Sequence, residues 1–405
     1  MRKSVWVLGG ILLSCGAALA QPYALSYDTD GAILVNGKRT LIIGSYYAAK
    51  SDRPYAEMAE AGFNLVRAGS PEQMDQAGAA GVMAWTAVGA LDLEKRAESE
   101  AALRERVTAI KDHPALAIIE TVDEPAWDWL KKEPRVKPDV FAATYPILKE
   151  IAPEKLLYMN HAPTNLVATM KAYNSGTDIV ACDIYPVNPG GLMTMYALFP
   201  DGHQGDLNNP EISQVGEYVD KMRQVTGPDR PLFMVLQAFA WEKLVQETDV
   251  VEQREEKILY PSYNQSRFMA FQALIKGANG IVYWGSDFTP QPSQAWDDLK
   301  RVSREVADLA EVIVAPDPGV AVATTYHEMG HSVDDGIQMM VRDHGGYRYV
   351  FTCNADKNKC KATLAGLGDW KKCTVLNEDR EVPLHGDVLT DDWRRFGVHI
   401  YRLEK

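Results

Sequence analysis

The sequence predicts an α/β protein, a (β/α)8 TIM barrel followed by a small antiparallel β-sandwich domain, and three observations carry that expectation. Apolar strand-like runs and helical patterns alternate eight times between residues 40 and 309. Strand and helix in repetition imply parallel strands joined by crossovers, and eight such units in about 280 residues fit one closed barrel. Beyond Pro316 the strands shorten and are separated by turns at Asp335-Gly336, Gly345-Gly346 and Asn354 to Lys359, the mark of an antiparallel domain. The composition agrees, since 46% hydrophobic, 24% charged and 9% aromatic residues in a chain of 405 exclude a disordered or collagen-like chain. The expected division is a leading segment 1–20, a barrel with its hairpin 21–316, and the β-sandwich 317–405.

The leading segment reads as a secretory signal. Arg2 and Lys3 form a basic start, Val5 to Leu13 is apolar, and Ala18-Leu19-Ala20 before Gln21 is an A-x-A cleavage site. An alternative is lipoprotein processing at Leu12-Leu13-Ser14-Cys15, with Cys15 as a lipid anchor. A secreted or periplasmic location is expected, and no run reaches the roughly 20 apolar residues of a transmembrane helix. Loss of Arg2 and Lys3 would take the formal charge from −13 to −15. So acidic a chain is a poor partner for nucleic acid, whose phosphates need clustered Lys and Arg.

The barrel opens with a hairpin, Ile33-Leu34-Val35 turning at Asn36-Gly37 into Leu41-Ile42-Ile43, placed to plug the barrel's bottom. Strands are then expected at 40–47, 63–68, 82–88, 115–122, 156–160, 178–185, 231–239 and 280–284. Among the helices between them, Leu103, Val107 and Ile110 share one face, as do Phe268, Phe271 and Leu274, and Leu299, Val302, Val306 and Leu309.

Barrel sites form where strands end. The residues there are Tyr46 and Tyr47, Arg67, Trp85, Asp123 and Glu124, Asn160 and His161, Asp183 and Tyr185, Gln237 and Trp241, and Trp284 and Asp287. Carboxylates, amides and flat rings dominate, without a cluster of basic residues. Sugars carry uncharged hydroxyls around apolar C–H faces, so this set suits a carbohydrate, and no metal or cofactor is expected. In the fourth strand Pro125 cannot donate to the ladder. That leaves Glu124 at the mouth, where desolvation and Asp123 raise its pKa and equip it to protonate a glycosidic oxygen.

Here the chain resembles the (β/α)8 glycoside hydrolases related to clan A. Their acid/base Glu ends strand four in an Asn-Glu-Pro or similar triplet, matched by Asp123-Glu124-Pro125. Val35-Asn36-Gly37-Lys38 with Ile43-Gly44-Ser45-Tyr46 looks like their first strand, and Gly277 to Trp284 like their eighth. Gly397 to Tyr401 resembles the last strand of the β-sandwich that often follows such barrels. The resemblance spans residues 30 to 405 in outline and implies a glycosidase. One departure stands out, because the family's strand-seven nucleophile is a Glu and the matching position is Gln237. Three repairs are open. Asp183 or Asp287 activates water in an inverting reaction, which requires about 6.5–9.5 Å between carboxyl groups. Or the substrate's 2-acetamido group attacks, oriented by Asp123, as the resemblance of Asp123-Glu124 to the pair of substrate-assisted hexosaminidases implies. Or Glu242 swings in from its loop. A binding barrel without catalysis is the alternative to all three. Loops 188–210 and 242–262, with Trp127 and Trp129, are expected to wall the cleft.

Two further motifs remain. His327-Glu328-Met329-Gly330-His331 matches the zinc-protease pattern, which needs a helix to bring both His to one metal. Its flanks read as strand and turn, so surface residues between two strands are expected. Cys182 reads as an inert core residue. Cys353 and Cys360 flank a turn and are expected to form a disulfide across a hairpin, with Cys373 allowing other pairings.

Overall fold

The computed structural model describes residues 22–128, 131–188, 209–244 and 258–405. The leading segment with Cys15, Trp129, and most of loops 188–210 and 242–262 lie outside the described residues.

Eight parallel strands close into a barrel. In order they are Ile42–Ser45, Leu65–Arg67, Met83–Ala87, Leu116–Glu120, Leu156–His161, Ile179–Ile184, Leu232–Gln237 and Gly280–Trp284, each within one residue of its expected range. Alternation along a strand sorts side chains into two cores. In the seventh strand Phe233 and Val235 point into the barrel, while Leu232, Met234 and Leu236 pack under the helices. The helices start where local chemistry permits. Pro54, Pro71 and Pro138 occupy first turns, where a missing N–H costs nothing. Ser70, Ser262 and Ser293 cap helices 71–79, 263–275 and 294–308 through their side chains. The buried faces of the last two carry Phe268, Phe271, Leu274, Leu299, Val302 and Val306, as the spacing predicts.

The leading segment of the barrel differs from the expected hairpin. Asn36 and Gly37 do make the turn, both with positive φ. The return strand is Lys38–Arg39, paired with Leu34 and Val35, which frees Ile42–Ser45 for the barrel. A further strand, Leu25–Tyr27, pairs on the other side of Ile33–Val35. Leu25 and Ile33 pack against Ile42, Leu65, Leu156 and Phe233 inside the barrel, so this small sheet does close its bottom.

The last barrel helix gives way to a short helix, Ala310–Ile313, and the first strand of the C-terminal domain is Ala323–Tyr326. Two antiparallel sheets follow, of four and five strands. Val350, Leu364, Leu389, Trp393 and Leu403 fill the space between them. The domain is fastened to the barrel by Phe351 stacked on Phe271 at 6.4 Å. Arg267 adds a bond to the Val398 carbonyl at 2.8 Å.

One expectation changes here. Cys353 lies in strand Tyr347–Asn354 of the five-stranded sheet, and Cys360 opens strand Cys360–Ala365 of the four-stranded one. The turn between them crosses from sheet to sheet and is not a hairpin. The Cys360 thiol donates to Asn354 Oδ1 at 3.5 Å. Cys182, Cys353, Cys360 and Cys373 are all buried and free, which overturns the expected disulfide. The zinc-protease pattern lies between strands Ala323–Tyr326 and Ile337–His344, as its flanks predict. Residues 327–331 form a loop, His327 bonds Thr363 at 2.7 Å and His331 bonds the Ser332 carbonyl at 2.9 Å. No metal-binding cluster occurs among the described residues.

Candidate active site

Asn160, near the end of strand five, organises the mouth. Its carbonyl accepts the Glu124 N–H at 3.0 Å. Its side-chain amide donates to Asp123 Oδ1 at 3.1 Å and to Asp183 Oδ1 at 3.2 Å. Glu124 is held there in a left-handed backbone conformation, φ 45°, which costs a non-glycine residue about 1 kcal/mol. Strain of this kind persists where surrounding bonds fix the residue, and here they aim its side chain at the mouth.

Three carboxyl groups thus meet on strands four and six. The Glu124 and Asp183 carboxyls lie close enough for each to shift the other's pKa. Burial, and then the Asp123 charge, push Glu124 up to about 7. Burial and the charges of Glu124 and Asp123 push Asp183 well above the ordinary range. Asp123 is exposed on its outer edge, yet desolvation by the protein around it still lifts its carboxyl. Arg135 comes back over the site from the following loop, bonding the Asp123 carbonyl at 2.9 Å and lying 3.9 Å from Glu124 Oε2. Asp183 is almost sealed, whereas the Glu124 side chain keeps 23% of its surface open, so Glu124 is the more accessible of the two.

Deeper in the barrel lies Glu120, which the sequence reading passed over as part of an apolar strand. It is 1% exposed, and burial pushes its carboxyl up to about 7. The Trp85 indole donates to its Oε2 at 3.2 Å and Arg67 Nε lies 3.4 Å from the same oxygen. On the neighbouring strand, level with it, Tyr158 bonds the Tyr46 hydroxyl at 3.0 Å, and Trp85 stands edge-on to Tyr46 at 5.1 Å.

On the opposite side, strands six to eight supply rings. Tyr185 stacks on Trp284 at 5.5 Å, and Phe239 meets Trp284 edge-on at 5.0 Å. Trp241 bonds the Tyr185 carbonyl at 3.1 Å, and Tyr47 and Phe288 extend the cluster outward. Phe288 is 38% exposed, so the wall offers apolar surface to the cleft.

Three expected site residues stand elsewhere. His161 follows inward-facing Asn160 and so points outward, where its ring packs edge-on against Tyr173 at 5.7 Å. Complete burial lowers its pKa to about 4, leaving a neutral ring within the helix layer. Gln237 is fully buried, its Oε1 accepting the Val187 N–H at 2.8 Å and its Nε2 donating to the Val187 and Phe239 carbonyls. It braces the backbone after strands six and seven and has no free valence for a sugar. Asp287 sits on the rim in an ion pair with Lys50 at 3.0 Å. Glu242, the alternative nucleophile, is buried and accepts the Leu259 N–H at 3.1 Å.

No protein-family model matches the chain, and no curated protein matches it in sequence. Solved structures do resemble it. One described simply as a glycoside hydrolase superposes with a TM-score of 0.61 at 12% identity, over 94% of this chain and 97% of its own. A family 5 glycoside hydrolase from Bacteroides vulgatus gives 0.59 at 10%, over 94% and 93%. An α-amylase from Geobacillus thermoleovorans, solved with acarbose, gives 0.55 at 11%, over 91% and 100%. At such identities the likeness is one of fold.

Proposed function

We propose that the protein is a glycoside hydrolase with Glu124 as its general acid. The observation that carries this reading is the Glu124 carboxyl at the mouth of the barrel, pushed up to about 7 by burial and the Asp123 charge and faced by a wall of aromatic rings. A carboxyl near 7 is matched to proton delivery at neutral pH, and the rings suit the apolar faces of a sugar. The glycoside hydrolases among its structural neighbours support the same reading. With Gln237 bonded to the backbone, two routes belong to the proposal: inversion with Asp183 activating water, and substrate assistance with the exposed Asp123 orienting a 2-acetamido group. The proposal includes export to the periplasm or beyond, which rests on residues 1–20. No helix among the described residues is long and apolar enough to cross a membrane.

Glu124→Gln keeps the shape and removes the proton. Hydrolysis of an oligosaccharide panel should fall by about 10²–10⁴-fold with the melting temperature nearly unchanged, and an undiminished rate would refute the role. The neutral, fully bonded Gln237 favours one second reading, a barrel that binds carbohydrate without cleaving it. Calorimetric binding with no product after long incubation would select that reading.

A further inference from the structure

A buried carboxyl oxygen ordinarily finds a donor, because leaving it unsatisfied costs about 1–3 kcal/mol. Glu120 breaks this pattern. Both of its nearby donors, the Trp85 indole and the Arg67 guanidinium, lie against Oε2, while Oε1 has no partner. Packing explains which way Oε1 can be served. Trp85, in register with Ile118, stands one inward position below the carboxyl, and Tyr158, bonded to Tyr46, stands level with it on the neighbouring strand. The direction left is upward, toward the mouth, where the Arg67 side chain is 43% exposed. A second acceptor is in the same condition. Asn160 commits its amide to Asp123 and Asp183, and its buried Oδ1 has no partner. Glu120 is in register with Tyr158 on the neighbouring strand, so Asn160 stands one inward position above it.

We propose that Glu120 Oε1 and Asn160 Oδ1 are hydroxyl acceptors forming the floor of the deepest sugar position, and that the sugar held there is neutral with free hydroxyls. This deepens the glycosidase reading and rests on it. Two lone acceptors on adjacent strands match O–H donors, which a sugar presents on neighbouring carbons. A uronate or sulfated sugar would bring its charge among Glu120, Asp123, Glu124 and Asp183. Arg67 already serves Glu120, and Arg135 lies beside Glu124. Arg67 has a second function in this arrangement, since it offsets part of the Glu120 charge and keeps Oε1 turned to the ligand.

The test uses methyl glycosides of neutral hexoses, pentoses and 2-acetamido hexoses, with methyl glucuronide as the anionic probe. Binding is measured by calorimetry on the full chain, and KM and kcat are measured on matching oligosaccharides. Glu120→Ala should weaken binding of a neutral glycoside and raise its KM by about 10- to 100-fold, with kcat changed much less. Glu120→Gln keeps an oxygen for Trp85 and Arg67 but puts a donor where Oε1 stood. It should move KM in the same direction by about threefold to tenfold, and it covers the case in which the alanine variant does not fold. Glu124→Gln should bind with nearly wild-type affinity. Tighter binding of the glucuronide than of every neutral glycoside would overturn the proposal. So would an unchanged KM in both Glu120 variants while Glu124→Gln abolishes hydrolysis, a result that leaves the glycosidase reading standing. Absence of both sugar binding and hydrolysis would overturn the two together.

Discussion

Replacing Asp123 by Asn removes the neighbouring charge that, after burial, does most to keep the proton on Glu124. At a separation of about 6 Å and an effective dielectric of about 20, that charge opposes ionisation of Glu124 by about 3 kcal/mol. Asp123 is exposed on its outer side, so solvent and salt screen the interaction and an observable effect of about 1.4 kcal/mol, or tenfold in proton affinity, is the better expectation. A general acid works only while protonated, so kcat/KM falls as pH rises through the pKa of the free enzyme's acid. The alkaline limb, near 7 in the wild type by the Glu124 value, should therefore move down by about one pH unit in Asp123→Asn. The assay is kcat/KM against pH on an oligosaccharide whose leaving group needs protonation, because an activated aryl glycoside would hide the limb. A limb that stays in place in Asp123→Asn would refute the assignment of Glu124 as the titrating acid.

Three other outcomes follow from the same contacts. Gln237→Glu should not create a nucleophile: it would face the Val187 and Phe239 carbonyls with a buried carboxylate, and should cost about 3 kcal/mol in denaturant unfolding, whereas a stable, more active variant would show that the position is free to act. Burial pushes the Glu120 carboxyl up to about 7 from an ordinary 4.5, so the folded state binds the extra proton and stability falls as pH rises between those values, by up to about 1.4 kcal/mol per unit. Glu120→Gln should give a shallower fall and a higher melting temperature than wild type at pH 8; an identical pH dependence would contradict the buried site. Unfolding without reductant, followed by alkylation and mass spectrometry, should find Cys353, Cys360 and Cys373 as thiols, and a Cys353–Cys360 disulfide would contradict the two-sheet placement.

The barrel was legible because its two periods are local. Apolar runs such as Leu232 to Leu236 and faces such as Leu299, Val302 and Val306 are set by neighbours a few residues away. What depends on register across the fold was not. Asn160 and His161 are adjacent and equally polar, and only the facing of strand five sends one into the mouth and the other beneath a helix. The turn between Cys353 and Cys360 has the same residues whether it returns to its own sheet or crosses to another. Arg135 reaches the site through a loop, and nothing in its local sequence marks it. Glu120 is a different case. A carboxyl inside the apolar run Leu116 to Ile119 is costly to bury, and the inward facing of Ile118 extends to it by alternation. That cost was a readable sign of function, obscured by the more conspicuous Asp123-Glu124-Pro125 beyond it.

The position of Gln237 bears on how the mouth came to lack a second Glu. Its side chain ties strand seven to Val187, the residue that follows the Tyr185 wall on strand six. A carboxylate there could accept the Val187 N–H but would repel both carbonyls that the amide now serves. Keeping the wall in place and keeping a nucleophile at this position are therefore incompatible demands in this chain. Of the other described carboxyls near the mouth, Asp287 is turned to Lys50 on the rim, which leaves Asp183 and Asp123 beside Glu124. Under the proposed function these two divide the routes, Asp183 as the group that would activate water in an inverting reaction and Asp123 as the one that would steer an attacking group of the substrate itself.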